Sequence, residues 1–285
     1  MNKLSIYGST GFIGSKYCDL FTDTISIPRE QNEPKTNNIL YFISTTHNYH
    51  VFDNVMLDVE TNLTKLLEVL KSCHEKYDKD FTFNFISSWF VYGKTDSLPA
   101  KEDSICNPKG FYSITKRAAE QLIISYCETF GIKYRILRLS NVYSDYDEKS
   151  SKKRNALQYL ITEVVRGNDI NLYDHGESIR DFLHVEDVCH AINISIKSNQ
   201  IINTILNIGS GIPTKFIDIM NYVKDKTNSP SKFNFIDPPH FHKVVQIQDM
   251  YLDTSLLKSL GFTESINIYQ GVDRLIDTIR KKHNG

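Results

Sequence analysis

Long apolar runs are missing from this chain. No segment approaches the roughly 18 consecutive apolar residues of a membrane span, and Lys3 gives way at once to a glycine-rich turn rather than to a leader, so a soluble, cytoplasmic protein is expected. Surplus charge is missing too: 33 Lys and Arg against 34 Asp and Glu leave a formal net charge of -1, which gives a polyanion little to hold. The basic stretches Lys149-Ser-Ser-Lys-Lys-Arg154 and Arg280-Lys-Lys282 are short and lack interleaved aromatics, so they read as a solvated loop and a charged end. Neither nucleic acid nor membrane is an expected partner. The five cysteines (Cys18, Cys73, Cys106, Cys127, Cys189) have neither metal-ligand spacing nor an even count. They read as buried free thiols in a reducing compartment, with no metal site. Repeats and low-complexity tracts are absent.

What is present is alternation. Short β-rich runs at Lys3–Tyr7, Thr24–Ile27, Asn38–Ile43, Phe81–Ile86 and Tyr134–Leu139 are interleaved with helical periodicity up to Phe21, from Val55 to Lys76 and over 112–130. In the second of these helices Leu63, Leu66, Leu67 and Leu70 are expected on one face. Strands alternating with helices imply an α/β fold with a parallel sheet covered on both faces, and a nucleotide at the carboxyl ends of its strands. Beyond about residue 145 the pattern loosens into helices near 155–166, after Val185, and near 214–226 and 268–282, with Pro238-Pro239 as a break. Residues 1–145 therefore read as a nucleotide-binding domain into which later elements interleave, and 146–285 mainly as a substrate lobe.

Two local patterns carry chemistry. Gly8-Ser-Thr-Gly11-Phe-Ile-Gly14 falls between the first strand and the first helix, where glycines let backbone approach a pyrophosphate and the helix start offers free N–H groups. Tyr112 and Lys116, one helical turn apart, place an ammonium beside a phenol. A phenol titrates near pH ~10 when unperturbed, and a neighbouring cation that favours the phenolate suits it to proton transfer. On spacing alone the pair reads more readily as a packed tyrosine with a solvent lysine, because the four-residue pattern is common.

The ordered set Gly8-x-x-Gly11-x-x-Gly14, Ser87-Ser-Trp-Phe-Val-Tyr-Gly93, Tyr112-x-x-x-Lys116, Arg138-Leu-Ser-Asn-Val-Tyr143, Arg180-Asp-Phe-Leu-His-Val-Glu-Asp187 and Asn207-Ile-Gly-Ser-Gly211 resembles the extended short-chain dehydrogenase/reductase family. The branch it resembles is that of nucleotide-sugar epimerases, dehydratases and 4-keto-sugar reductases, and the likeness spans essentially the whole chain. It implies a Rossmann-like doubly wound sheet with a smaller C-terminal substrate-binding lobe. Tyr112 would move the proton, Lys116 would hold the nicotinamide ribose and favour the phenolate, and Ser88 would hydrogen-bond the reacting oxygen. Gly8, Thr10, Gly11, Phe12, Ile13, Gly14, Ser44 and Asn62 would serve the cofactor; Trp89, Asn141 and Arg180 would serve the sugar nucleotide. Asp181 and Asp187 read as structural. The family commonly dimerises through the helices near 62–76 and 112–130, which implies a homodimer.

Departures from the pattern narrow the chemistry. Dehydratases and decarboxylases of the branch need an acid directly after the Ser position, whereas this chain has Trp89-Phe90, neither of which transfers a proton. Redox at one carbon remains, most often C4. After the second strand stands Pro28-Arg29-Glu30; Arg29 favours the 2'-phosphate of NADP(H), while Glu30 keeps NAD(H) possible. Lys65 stands where the family usually has glycine. Ser44-Thr-Thr-His-Asn-Tyr-His50 replaces the usual small apolar segment, leaving His47 and His50 as pocket or polar surface. Phe241-His-Lys-Val-Val-Gln246 stands in for an expected Arg-x-Gly-Asp, with Lys243 as the cation available for phosphate. The expected activity is NADPH-dependent reduction of a nucleoside-diphosphate 4-keto-6-deoxyhexose. A 4-epimerase with tightly held NAD is the first alternative, and a non-catalytic dinucleotide-binding module a remote one.

Overall fold

The computed structural model describes residues 3–147, 150–151 and 154–283. Lys149, Lys152 and Lys153 of the first basic stretch lie outside the described residues. β1 (Leu4–Tyr7) is buried along its whole length and runs into the glycine turn and α1 (Phe12–Leu20). β2 (Thr24–Ile27) and β3 (Asn38–Tyr41) then pair with opposite edges of β1, with Ser5 facing Ile25 on one side and Ile39 on the other. α2 (Leu57–Val59) passes through a π-helical turn, Glu60–Thr64, into α3 (Lys65–Tyr77). β4 (Thr82–Ser88), α4 (Phe111–Phe130) and β5 (Lys133–Leu139) follow.

Period-two alternation explains how the sheet is covered. Ile6 and Leu40 point to the face packed by Tyr17 of α1, while Tyr7, Ile39 and Tyr41 point to the face packed by Leu66, Leu70 and Ile123 of α3 and α4. Of the four leucines expected on one helical face, Leu66 and Leu70 are fully buried but Leu67 is 37% exposed. The π turn breaks the regular helical phase just before it.

The rest of the chain builds the second lobe and returns once to the sheet. β6 (Asn141–Tyr143), α5 (Ala156–Val165), β7 (Ile170–Tyr173), β8 (Ile179–Arg180), β9 (Phe182–His184) and α6 (Val185–Lys197) lead to β10 (Thr204–Ile208). β10 adds to the edge beside β5, with Leu206 opposite Leu137, and completes a six-stranded parallel sheet in the order β10-β5-β4-β3-β1-β2. α6 packs beneath it through Val188, Ile192 and Ile196. β11 (Thr214–Lys215), α7 (Phe216–Thr227), β12 (Phe233–Ile236), α8 (His240–Val245), α9 (Ser255–Ser259) and α10 (Ile268–His283) complete the chain. α5, α7 and α10 enclose a separate apolar core around Ile161, Met220 and Val272. α8 and α9 were not expected: α9 is too short for periodicity to register, and Pro239 sits as the N-cap of α8 rather than only breaking the chain. Among the described residues no helix is long and apolar enough to cross a membrane.

Candidate active site

The chain leaves β1 for β2 on one side and comes back on the other as β3, so the crevice opens outside the carboxyl ends of β1 and β3. A cleft of about 850 Å³ lies there, walled by the glycine turn, the segment after β3, the end of β4, the start of α4, and β6, β7 and α8. Gly8 has φ +83°, a left-handed conformation that glycine adopts without penalty. A Cβ on Gly14 would stand 2.2 Å from the Gly8 carbonyl oxygen, so only glycine lets α1 start this close to β1. Gly11 caps that helix with no side-chain hydrogen bond, and no acidic residue occupies its first turn. Its first N–H groups and dipole therefore offer an anion site, which fits the pyrophosphate of a dinucleotide.

Gly8, Gly11, Phe12, Ile13, Gly14 and Ser44 line the cleft. Thr10 is on the same turn but exposed and outside the wall, and Arg29 is exposed two residues beyond β2. Asn62 is also outside the wall, buried behind it. Its Oδ1 accepts from the Ser44 hydroxyl at 3.1 Å and the Thr45 N–H at 2.9 Å, while its Nδ2 donates to Thr45 Oγ1 at 2.8 Å and Thr115 Oγ1 at 2.9 Å. Asn62 thus ties the segment after β3 to α4.

Ser88, Tyr112 and Lys116 all reach the wall. Ser88 ends β4 and accepts from the Phe90 N–H at 3.3 Å, capping the short turn Trp89–Val91. Tyr112 lies in the first turn of α4, and burial raises its phenol above the ordinary value while the Ser88 and Ser44 hydroxyls act the other way and the Asp58 carboxylate adds to the rise. Lys116 points beneath β4, donating to the Ile86 carbonyl at 2.5 Å with its ammonium 4.2 Å from the Phe85 ring centre. Burial lowers it to about 7, partly countered by Glu120. The Lys116 ammonium donates to the Ile86 carbonyl, and the groups that act against the rise at Tyr112 are the Ser88 and Ser44 hydroxyls.

Trp89 stacks on Phe90 with ring centres 4.0 Å apart, and Phe90 stands edge-on to Tyr112. Asp147 is the only carboxylate in the described wall, and Asp58, which acts on Tyr112, is buried outside it. Arg180 reaches the wall with its guanidinium 5.6 Å from the Trp89 ring and donates to the carbonyls of Ile179, Ile247 and Gln248. Asn141 donates through Nδ2 to the Asp181 carbonyl at 3.1 Å. Asp181 accepts from Ser210 and Gly211 N–H groups, and Asp187 from those of Ser265 and Ile266, which makes both structural.

Lys243 is exposed and outside the wall, whereas its neighbour His242 and Gln246 line it. His242 was missed, because a helix of six residues sets no readable phase. Its Nδ1 lies 3.1 Å from the Tyr49 hydroxyl, joining the segment after β3 to α8 across the cleft. Burial, then the Arg180 charge, lowers it. His47 lines the wall and stacks on His50 with ring centres 3.9 Å apart. Among the described residues no group of three or more His, Cys, Asp or Glu side chains could hold a metal ion.

Comparison with known proteins agrees with this fold. The model of the NAD dependent epimerase/dehydratase family matches residues 52–209. A putative UDP-glucose 4-epimerase of Methanocaldococcus jannaschii is 27% identical over 231 residues, covering 81% of this chain and 73% of that protein. Among solved structures, the UDP-glucose 4-epimerase of Thermotoga maritima with UDP-glucose superposes with a TM-score of 0.85 at 20% identity over 99% of each chain. RMD of Pseudomonas aeruginosa, complexed with NADPH, does so with a TM-score of 0.85 at 18% identity, covering 99% of this chain and 100% of that one. At these identities the structures speak for the fold.

Proposed function

This chain belongs to the NAD-dependent epimerase/dehydratase family of extended short-chain dehydrogenases/reductases, and from that premise we propose that it reduces the 4-keto group of a nucleoside-diphosphate 4-keto-6-deoxyhexose with NADPH. One observation carries the reading: the cleft wall at the reacting end is Tyr112, Ser88 and aromatic rings, and Asp58, the carboxylate that acts on Tyr112, is buried outside that wall. Elimination of water needs an acid and a base beyond the tyrosine; adding a hydride and a proton to a carbonyl does not.

Gly8, Gly11, Phe12, Ile13 and Gly14 would hold the dinucleotide, with Ser44 beside them and Asn62 bracing that segment from behind. Arg29, at the end of β2, would meet a 2'-phosphate. When bound, the reduced nicotinamide supplies a hydride to C4. Tyr112 gives its phenolic proton to the developing alkoxide, Ser88 orients that oxygen, and solvent restores the proton. Lys116 holds the ribose, Trp89 packs the sugar, and Asn141 and Arg180 meet the diphosphate. The exposed leucines Leu67 and Leu122 of α3 and α4 support a homodimer, which light scattering tests.

The test is NADPH absorbance with purified protein and a panel of 4-keto-6-deoxyhexoses on different nucleotides. Stoichiometric consumption is expected; flat traces throughout would sink the reading. Similarity to two proteins named as UDP-glucose 4-epimerases supports a second reading, a 4-epimerase. It is favoured instead if NAD co-purifies and a 4-epimer forms with no nicotinamide added.

A further inference from the structure

Asp58 is a buried carboxylate that the chemistry above does not use. It is 1% exposed, at the middle of α2 where that helix enters the π turn. Its Oδ1 accepts from the Thr45 hydroxyl, and its Oδ2 is buried with no hydrogen-bond partner among the described residues. A carboxylate oxygen without a partner in the interior costs stability, and an apolar side chain here would avoid that cost. Its surroundings are those of the site itself. Thr45 is bonded to Asn62, Asn62 to Thr115, and Thr115 to the backbone carbonyl of Tyr112 at 3.1 Å. α2 packs directly on α4.

We propose that the Asp58 carboxylate, anchored on Thr45 and joined through Asn62 and Thr115 to the Tyr112 backbone, reinforces burial in keeping that tyrosine a phenol, biasing the site toward giving a proton to a substrate oxygen over taking one. Asp58 is a positioning residue that acts through Tyr112. Burial raises the Asp58 carboxyl above its ordinary range, while the Thr45 hydroxyl and then His50 act the other way and favour its charged form; a negative charge held near a phenol in a dry setting disfavours the phenolate. The groups facing the pair are the Ser44 and Ser88 hydroxyls on the tyrosine side, His50 on the Asp58 side, and Lys116 on α4, whose ammonium is committed to the Ile86 carbonyl. The bias deepens the ketoreductase reading and rests on it for its biological sense, since reduction needs the tyrosine as an acid while oxidation needs it as a base.

The experiment needs no turnover. The chain is prepared with tyrosine labelled at the ring carbon bearing oxygen, and the Tyr112 resonance is assigned by its loss in Tyr112→Phe. Wild type, Asp58→Asn, Asp58→Ser and the charge-preserving Asp58→Glu are titrated upward in pH, with circular dichroism marking the folded range. Two neutral replacements guard against one failing to fold. Expected is a move of the resonance to its phenolate position about one pH unit lower in the neutral variants than in wild type, with Asp58→Glu tracking wild type. A Tyr112 signal that stays phenolic in the neutral variants at every pH where the wild type's does would overturn the proposal. Flat NADPH traces would remove the ketoreductase reading without touching this result, so the two fail separately.

Discussion

Two buried charged sites share α4, one turn apart, and they are built in opposite ways. Glu120 is fully buried and fully answered: Oε1 accepts from Ser87 at 2.6 Å and Arg138 Nε at 3.0 Å, and Oε2 from Arg138 and Arg117 at 2.8 Å each. Arg138 spends its remaining reach on the Glu102 carbonyl and the face of Tyr92. Burial alone would raise Glu120, but these donors hold it below the usual carboxylate range. Lys116 is as deep, yet among the described residues its ammonium donates to one carbonyl, and burial brings it down to about 7. Depth is therefore not what separates scaffold from site. Incomplete compensation is, because a group left short of partners keeps its capacity to bind or to exchange a proton.

The sharpest break of this comparison is expected at Tyr112. Tyr112→Phe removes the hydroxyl that the mechanism uses, so turnover should fall by about 10²- to 10⁴-fold while the thermal midpoint changes little. Near-full turnover would contradict the mechanism. The mirror experiment belongs to the paired side. Arg138→Leu takes two of the four donors from the buried Glu120, leaving Ser87 and Arg117, and should cost about 3 kcal/mol in urea unfolding, whereas the double variant Glu120→Leu/Arg138→Leu should recover most of it. Equal losses in the single and double variants would mean that packing, not pairing, sets the cost.

How far this contrast could be read beforehand depended on how local its causes are. The glycine turn was legible because three small residues at a strand-to-helix junction state a steric need that Gly14 meets within a few residues of chain. Tyr112 and Lys116 were legible as a pair for the same reason, one helical turn. Their electrostatics were not, because the partner that captures Lys116 is a carbonyl of β4, 30 residues away in sequence. The choice of His242 over Lys243 was hidden in the phase of a six-residue helix. Asp58 gave no sign, since a lone acid in a helix reads as solvent-facing until the π turn and Thr45 show that it is enclosed.

Lys116→Met sharpens the comparison through pH. In the unfolded chain this lysine keeps its proton up to the ordinary 10.5, whereas in the folded chain it releases it near 7. Between those values the unfolded state binds more protons, so wild-type stability climbs as pH rises through this window. Methionine removes the buried charge, leaving the Ile86 carbonyl unpaired. The variant should gain about 1–2 kcal/mol at pH 6, and that gain should shrink as pH rises from 7 toward 10.5 even as turnover is lost. A variant destabilised at pH 6 would place Lys116 with the paired, structural charges.

Arg29 supplies the third kind of cation, exposed and without an ion pair among the described residues. It contributes nothing that folding needs, so any function must appear as selectivity alone. A guanidinium that meets a 2'-phosphate at the surface works in high dielectric and is screened by salt, which limits its worth. Arg29→Ala should therefore raise the KM for NADPH only about tenfold, roughly 1.4 kcal/mol. The KM for NADH, kcat and the melting temperature should stay unchanged. Glu30 beside it offers the competing contact, a carboxylate toward a ribose 2'-hydroxyl. If Glu30→Ala weakens NADH while Arg29→Ala leaves NADPH untouched, the cofactor is NAD(H), and the balance tips from net reduction toward the hydride-returning epimerase.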